Sequence, residues 1–204
     1  MVAACASKPP PSPPKPAPEP VASAKPEPPP PPPKCEALEE HCVAKDGAKA
    51  KIVDSPLRIE PPSGWEYAQE KDATVAIQGG ASLAVTTHDV GDARDLKKQL
   101  TLRLNAFDAL LKLIGVKPPA ARFFWMKTPE MVKKIGDLKV TLWQLDGATK
   151  EKTKGPLVVF VAPLPQNKAL LGVGYVPDDD KSGADQAILK AVDSLSAPVD
   201  PASP

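Results

Sequence analysis

Proline and aromatic residues keep apart in this chain. Fifteen of its 28 prolines fall between Pro9 and Pro33, whereas all nine aromatic residues lie at or after Trp65. A segment without large apolar side chains buries too little surface to offset the entropy lost on ordering. Residues 1–34 are therefore expected to be a disordered, proline-rich arm. The remaining residues, about 170 of the 204, fall in the size range of a single domain and can build a core. The expected division is an arm over 1–34, a short cysteine-containing helical segment over 35–50, a folded domain over 51–197 and a disordered tail over 198–204.

Charge narrows the function. The chain carries 26 basic and 25 acidic residues. Four lysines against two glutamates give the arm +2 (Lys8, Lys15, Lys25 and Lys34 against Glu19 and Glu27), which leaves −1 for the rest. Neither part has the basic excess of a nucleic-acid binder, so no nucleic-acid partner is expected. No apolar run reaches the roughly 18 residues of a membrane-spanning helix.

The start of the chain offers a different attachment. Val2-Ala3-Ala4-Cys5 matches a lipobox, with an aliphatic residue, two small residues and the cysteine that would carry lipid. The charged and apolar regions of a signal peptide do not precede it. The proline arm suits a spacer, because polyproline II extends by roughly 3.1 Å per residue and bends little. The expectation is a lipoprotein anchored at Cys5 in the cell envelope, facing the periplasm or the surface. The alternative is a cytoplasmic protein whose Pro-x-x-Pro spacings recruit partners.

Cys35 and Cys42 lie seven residues apart. In an oxidising compartment two such thiols suggest a disulfide, yet seven residues of continuous helix would hold the Cα atoms roughly 10 Å apart, beyond bridging distance. A disulfide and two free thiols both stay open. Zinc with His41 lacks the usual close spacing and a fourth ligand.

Beyond residue 50, Lys51–Val53 and Leu57–Glu60 read as short extended pieces, and Pro61-Pro62-Ser63-Gly64 as a turn feeding a strand that starts at Trp65. Thr74–Gln78 and Ser82–Thr87 flank Gly79-Gly80, a hairpin signal. Leu96, Leu100, Leu104, Phe107, Leu111 and Ile114 recur at steps of three and four. That period predicts a helix from about Ala93 to Ile114, capped by Asp92, stopped at Gly115 and lying flat on a sheet. Arg122–Met126, Leu138–Leu145, Leu157–Ala162 and Ala169–Val176 read as strands, with Asp146-Gly147 and Lys150–Lys154 at an exposed hairpin tip. A helix from about Ala184 to Ser196, capped by Ser182, closes the domain. This order predicts an α+β fold, a mainly antiparallel sheet flanked by helices in an α/β/α sandwich.

Pro62-Ser63-Gly64-Trp65, the single long amphipathic helix, and the run from Leu170-Leu171-Gly172-Val173-Gly174-Tyr175 to Leu195-Ser196 together resemble the PsbP/Mog group, over roughly Ile52 to Ala197. PsbP is an extrinsic accessory protein of photosystem II, and its bacterial relatives include lipoproteins. The resemblance implies an accessory or binding role and supplies no site residues.

Chemistry has few candidates. Asp178, Asp180, Ser182 and Gly183 fall on the early positions of a calcium loop, but Leu189 stands where the bidentate Glu belongs. An acidic run before a helix is explained by the helix dipole. His88-Asp89 ends a strand without a nucleophile placed beside it, so His88 is the sole basis for an alternative reading as a soluble enzyme. Gly172-Val173-Gly174 lacks the third glycine of a dinucleotide fingerprint. Phe123-Phe124-Trp125-Met126 is expected to alternate between core and surface on a strand. No catalytic, cofactor-binding or metal-ligating residue is assigned. The sequence points to a non-enzymatic, membrane-tethered envelope lipoprotein whose domain binds a protein or small ligand.

Overall fold

A computed structural model describes Cys35, Leu38 and residues 42–92, 94–120 and 123–197. Cys5, the arm, His41, Arg122 and the tail lie outside the described residues. The chain forms β1 (Ala50–Lys51), β2 (Arg58–Ile59), β3 (Glu66–Gln69), β4 (Thr74–Gln78), β5 (Ala81–Asp89), α1 (Leu96–Leu113) and β6 (Val116–Lys117). A 3-10 turn (Phe124–Met126) precedes β7 (Met131–Ile135), β8 (Leu138–Lys150), β9 (Thr153–Leu164), β10 (Lys168–Tyr175) and α2 (Ala184–Asp193). The main sheet runs β3-β4-β5-β10-β9-β8-β6, with β7 also on β8, and β1 and β2 form a separate pair. Every strand pairing among the described residues is antiparallel. The fold is α+β, with the sheet between two layers.

Strand alternation sorts side chains to those layers. Leu83, Val85, Leu170 and Phe160 meet Ile188, Val192 and Leu195 of the α2 layer, together with Ile52, Leu57 and Ile59 from the β1–β2 hairpin and Trp65. Ala84, Val159, Leu171, Val173 and Tyr175 meet Phe107, Leu110, Leu111 and Ile114 of α1 on the other face. After α2 the chain returns to the hairpin, where Arg58 and Ser196 exchange backbone hydrogen bonds of 2.9 and 3.1 Å.

The outer edge of β3 is covered. Tyr67 N–H donates to the Cys42 carbonyl (2.9 Å) and Gln69 N–H to the Cys35 carbonyl (2.6 Å), while Ala44 N–H donates to Trp65 (2.8 Å). Cys35 and Cys42 are joined by a disulfide with Cα atoms 5.5 Å apart. That separation is about half of what an uninterrupted helix sets, and none of the described residues from 42 to 50 is helical. The helical reading of 35–50 is corrected accordingly: Cys35 and residues 42–44 pair along the β3 edge, and Ala50 opens β1.

Four other expectations change. Phe124–Met126 is a 3-10 turn rather than a strand. Asp146-Gly147 is an irregularity inside β8, where the register shifts between Leu145 and Ala148. The tip of that hairpin lies at Glu151-Lys152. At α1 the capping side chain is Asp95, which accepts from Lys98 N–H at 2.9 Å, while Asp92 accepts from Arg94 N–H one turn earlier. At α2 the N-cap is Gly183, in the left-handed region. Ser182 donates its hydroxyl to Asp180, whose carboxylate accepts from Ala184 N–H at 3.3 Å.

Candidate binding surface

Helix α1 is amphipathic along its whole length but covered along only part of it. Phe107 is fully buried, and Leu110, Leu111 and Ile114 nearly so. Leu104, one turn earlier, is half-buried. Leu96 and Leu100, on the same helical face, are 69% and 40% exposed. The first two turns therefore carry the apolar row beyond the core, and the expectation that the whole helix lies flat on the sheet holds for its second half alone.

The 3-10 turn sits beside this bare stretch. Phe124 is buried against Phe107 and Trp143, at centroid distances of 5.3 and 5.2 Å. Trp125 packs edge-on to Phe124 (4.8 Å) and to Phe123 (5.5 Å), joining the core to the surface. Phe123 and Met126 are 50% and 79% exposed. Leu96, Gln99, Leu100, Arg103, Trp125 and Met126 together line an open groove of about 330 Å³. Of the eight large apolar residues exposed among the described residues, Leu96, Leu100, Phe123 and Met126 belong here. Apolar side chains massed in this way mark an interaction site, whereas singly scattered ones do not.

Arg103 is the charged group of the groove. Its guanidinium lies over the Trp125 ring, 5.2 Å from the centroid. Its Nε is buried without a hydrogen-bond partner among the described residues. Burial pulls Arg103 below its usual range, but a guanidinium stays charged at any physiological pH. The Arg103 charge also reaches His88, which is half-buried and whose buried Nδ1 has no hydrogen-bond partner among the described residues. Burial and the charge of Arg103 lower the His88 pKa, opposed by Asp89 and the Ala169 backbone. Burial and the Arg103 charge both favour the neutral imidazole. No serine, threonine or cysteine side chain among the described residues hydrogen-bonds to it.

Other polar groups are committed elsewhere. Lys150 donates to the Ser82 hydroxyl (2.6 Å) and to the Gly80 carbonyl (3.3 Å). Ser82 is fully buried, which makes this pair a tie between β8 and the β4–β5 hairpin. Thr86 and Thr87, beside a second cavity, donate to the carbonyls of Asp72 and Val53. Among the described residues, no cluster of three His, Cys, Asp or Glu side chains could hold a metal ion. The carboxylate of Asp180 serves the α2 terminus.

No protein-family profile matches the chain. No curated protein sequence matches it either. Solved structures do show similarity. The Saccharomyces cerevisiae Ran-binding protein Mog1p is 13% identical, with 74% of this chain and 94% of that one covered and a TM-score of 0.42. A variant of the protein Mog1 gives 12% identity, 74% and 95% coverage and a TM-score of 0.42. A Bacteroides thetaiotaomicron VPI-5482 protein is 14% identical at a TM-score of 0.38; the match covers 71% of this chain and 46% of that one. Mog proteins are among the solved structures to which this chain is similar. At these values the similarity carries no conclusion about family or function.

Proposed function

We propose that this chain is a non-enzymatic binding module of the cell envelope, anchored by lipid at Cys5 and spaced from the membrane by its proline arm. The observation that carries the binding role is the apolar face of α1 continuing past the core, flanked by Trp125 and Met126. A monomer with no partner would gain by replacing Leu96 and Leu100 with polar residues, since large apolar patches invite association. Trp, Arg and aromatic side chains around one groove are also the residue types that dominate binding energies. The tether rests on Val2–Cys5 and the adjoining prolines. The Cys35–Cys42 disulfide supports an oxidising compartment, where such bonds persist.

Expression of the native gene followed by membrane fractionation tests the tether. Protein should partition with membranes, and Cys5→Ser should release it. Native protein found wholly soluble with an unmodified Cys5 would overturn the anchoring. The binding role is tested separately through Leu96→Asp, which should abolish partner capture without altering thermal stability.

A further inference from the structure

We propose that the groove between α1 and the 3-10 turn holds an acidic amphipathic helix of a partner protein. Its apolar side chains would lie among Leu96, Leu100 and Met126, and one carboxylate would pair with Arg103. The inference rests on the binding role proposed above and specifies the partner's chemistry.

The shape of the site favours a helix. One wall is formed by Leu96, Gln99, Leu100 and Arg103, at the three- and four-residue steps of a helix surface, and the other by Trp125 and Met126. Ridges with that spacing receive the side chains of a second helix. A flat or protruding apolar surface would suit a bilayer better than this concave one.

Charge selects the kind of helix. Arg94, Lys97, Lys98, Arg103 and Lys127 lie in α1, its approach and the residue after the 3-10 turn. None forms an ion pair with a described residue; the ion pairs among those are Lys49–Glu60 and Lys133–Asp193. Of the nearby carboxylates, Asp92 and Asp95 accept backbone N–H groups at the helix start, and Asp108, further along α1, is engaged as well. Arg103 itself makes no hydrogen bond to a described residue, and its guanidinium carbon sits over the Trp125 ring. A guanidinium held over an aromatic ring, with no acceptor among the described residues, matches a carboxylate arriving from outside. The same charge disfavours other occupants. A second copy would bring an identical basic face in a twofold contact, and the proline arm carries +2 of its own.

Selection of random displayed peptides of about 15 residues, four helical turns, on the full chain tests the inference. The winning peptides should place Leu, Ile, Phe or Met three and four apart with an excess of Asp and Glu, and should bind more weakly as salt rises. Arg103→Gln should weaken them by about tenfold or more, and Leu96→Asp should abolish binding. Peptides that need Leu96 but are neutral or basic, or indifferent to Arg103→Gln, would overturn the acidic partner and leave the binding surface standing. Winners indifferent to both substitutions, or no winners, would overturn both. Two further outcomes would replace the partner helix: Arg103-dependent binding to phosphatidylglycerol vesicles without peptide binding, and a dimer dissolved by Leu96→Asp.

Discussion

Gln69, at the end of β3, donates its backbone N–H to the carbonyl of Cys35 at 2.6 Å. Through this bond and the companion bond from Tyr67 to Cys42, the two disulfide-linked cysteines sit against the edge of the main sheet. An unpaired edge strand is a template for unwanted pairing. Here the chain supplies its own cover, at the point where the proline arm leads into the domain.

The disulfide should help to hold this cover in place. Closing a loop this short contributes about 2–3 kcal/mol by restricting the unfolded chain. Replacing Cys35 and Cys42 together by Ala should lower stability in urea by that amount. Amide exchange at Tyr67 and Gln69 should also rise well above that of β10. Unchanged protection at both amides would show that the edge is held without the bond.

The two halves of α1 should respond oppositely to substitution. Phe107 is fully enclosed between the sheet and Phe124, so Phe107→Ala should cost about 3–5 kcal/mol. Leu96→Ala, with its side chain mostly in water, should change stability by about 0.5 kcal/mol or less. Equal losses at the two positions, measured by denaturant unfolding, would mean that the first turn is covered within the monomer, and the binding surface would be lost with it.

His88 should make stability depend on pH. Its folded-state pKa is lowered by burial and by Arg103, so the unfolded chain binds the proton more readily. Stability is then undiminished above the unfolded value of about 6.5 and falls as pH drops through and below it. The loss levels off once the folded value is passed. Melting temperatures taken from pH 8 down to about 5.5, above the range where carboxylates titrate, should decline for the native protein and decline less for His88→Gln. Matching slopes would assign the pH dependence to other groups.

Much of the framework is legible because local signals agree. Thr74–Gln78, with β-branched residues and a Gly-Gly turn after it, is β4 to the residue. The second half of α1 buries the face its period marks. Where reading fails, the pattern underdetermines the physics. Leu96 and Leu100 continue the spacing of Leu111 and Ile114, and periodicity reports an apolar face without saying what covers it. Phe123-Phe124-Trp125-Met126 has strand-like composition, yet Phe124 alone is enclosed, and packing on Phe107 and Trp143 curls the segment into a turn. Met131–Ile135 forms β7 although Val132 is exposed and two lysines follow, because the length of β8 leaves it a partner. The Arg103–Trp125 stack joins residues 22 apart in sequence, and no local signal announces it.

Gly172-Val173-Gly174 also has a meaning the sequence does not show. These glycines face the α2 layer of β10: a Cβ on Gly172 would enter the Phe160 ring, and one on Gly174 would come within 2.7 Å of Ile188. The repeated glycines make room for a ring and a branched side chain, with no phosphate involved. On β9, a Cβ on Gly155 would collide with the backbone carbonyl of Val176. The cost of a methyl group depends on what must move. Ile188 can shift a rotamer, so Gly174→Ala should cost about 1 kcal/mol, whereas at Gly155 a main-chain carbonyl must yield and the cost should reach about 3 kcal/mol or more. Urea unfolding of the two variants tests the order. If Gly174→Ala proved the more damaging, the close approach of β9 to the chain after β10 would be wrong, and with it the register that joins the centre of the sheet.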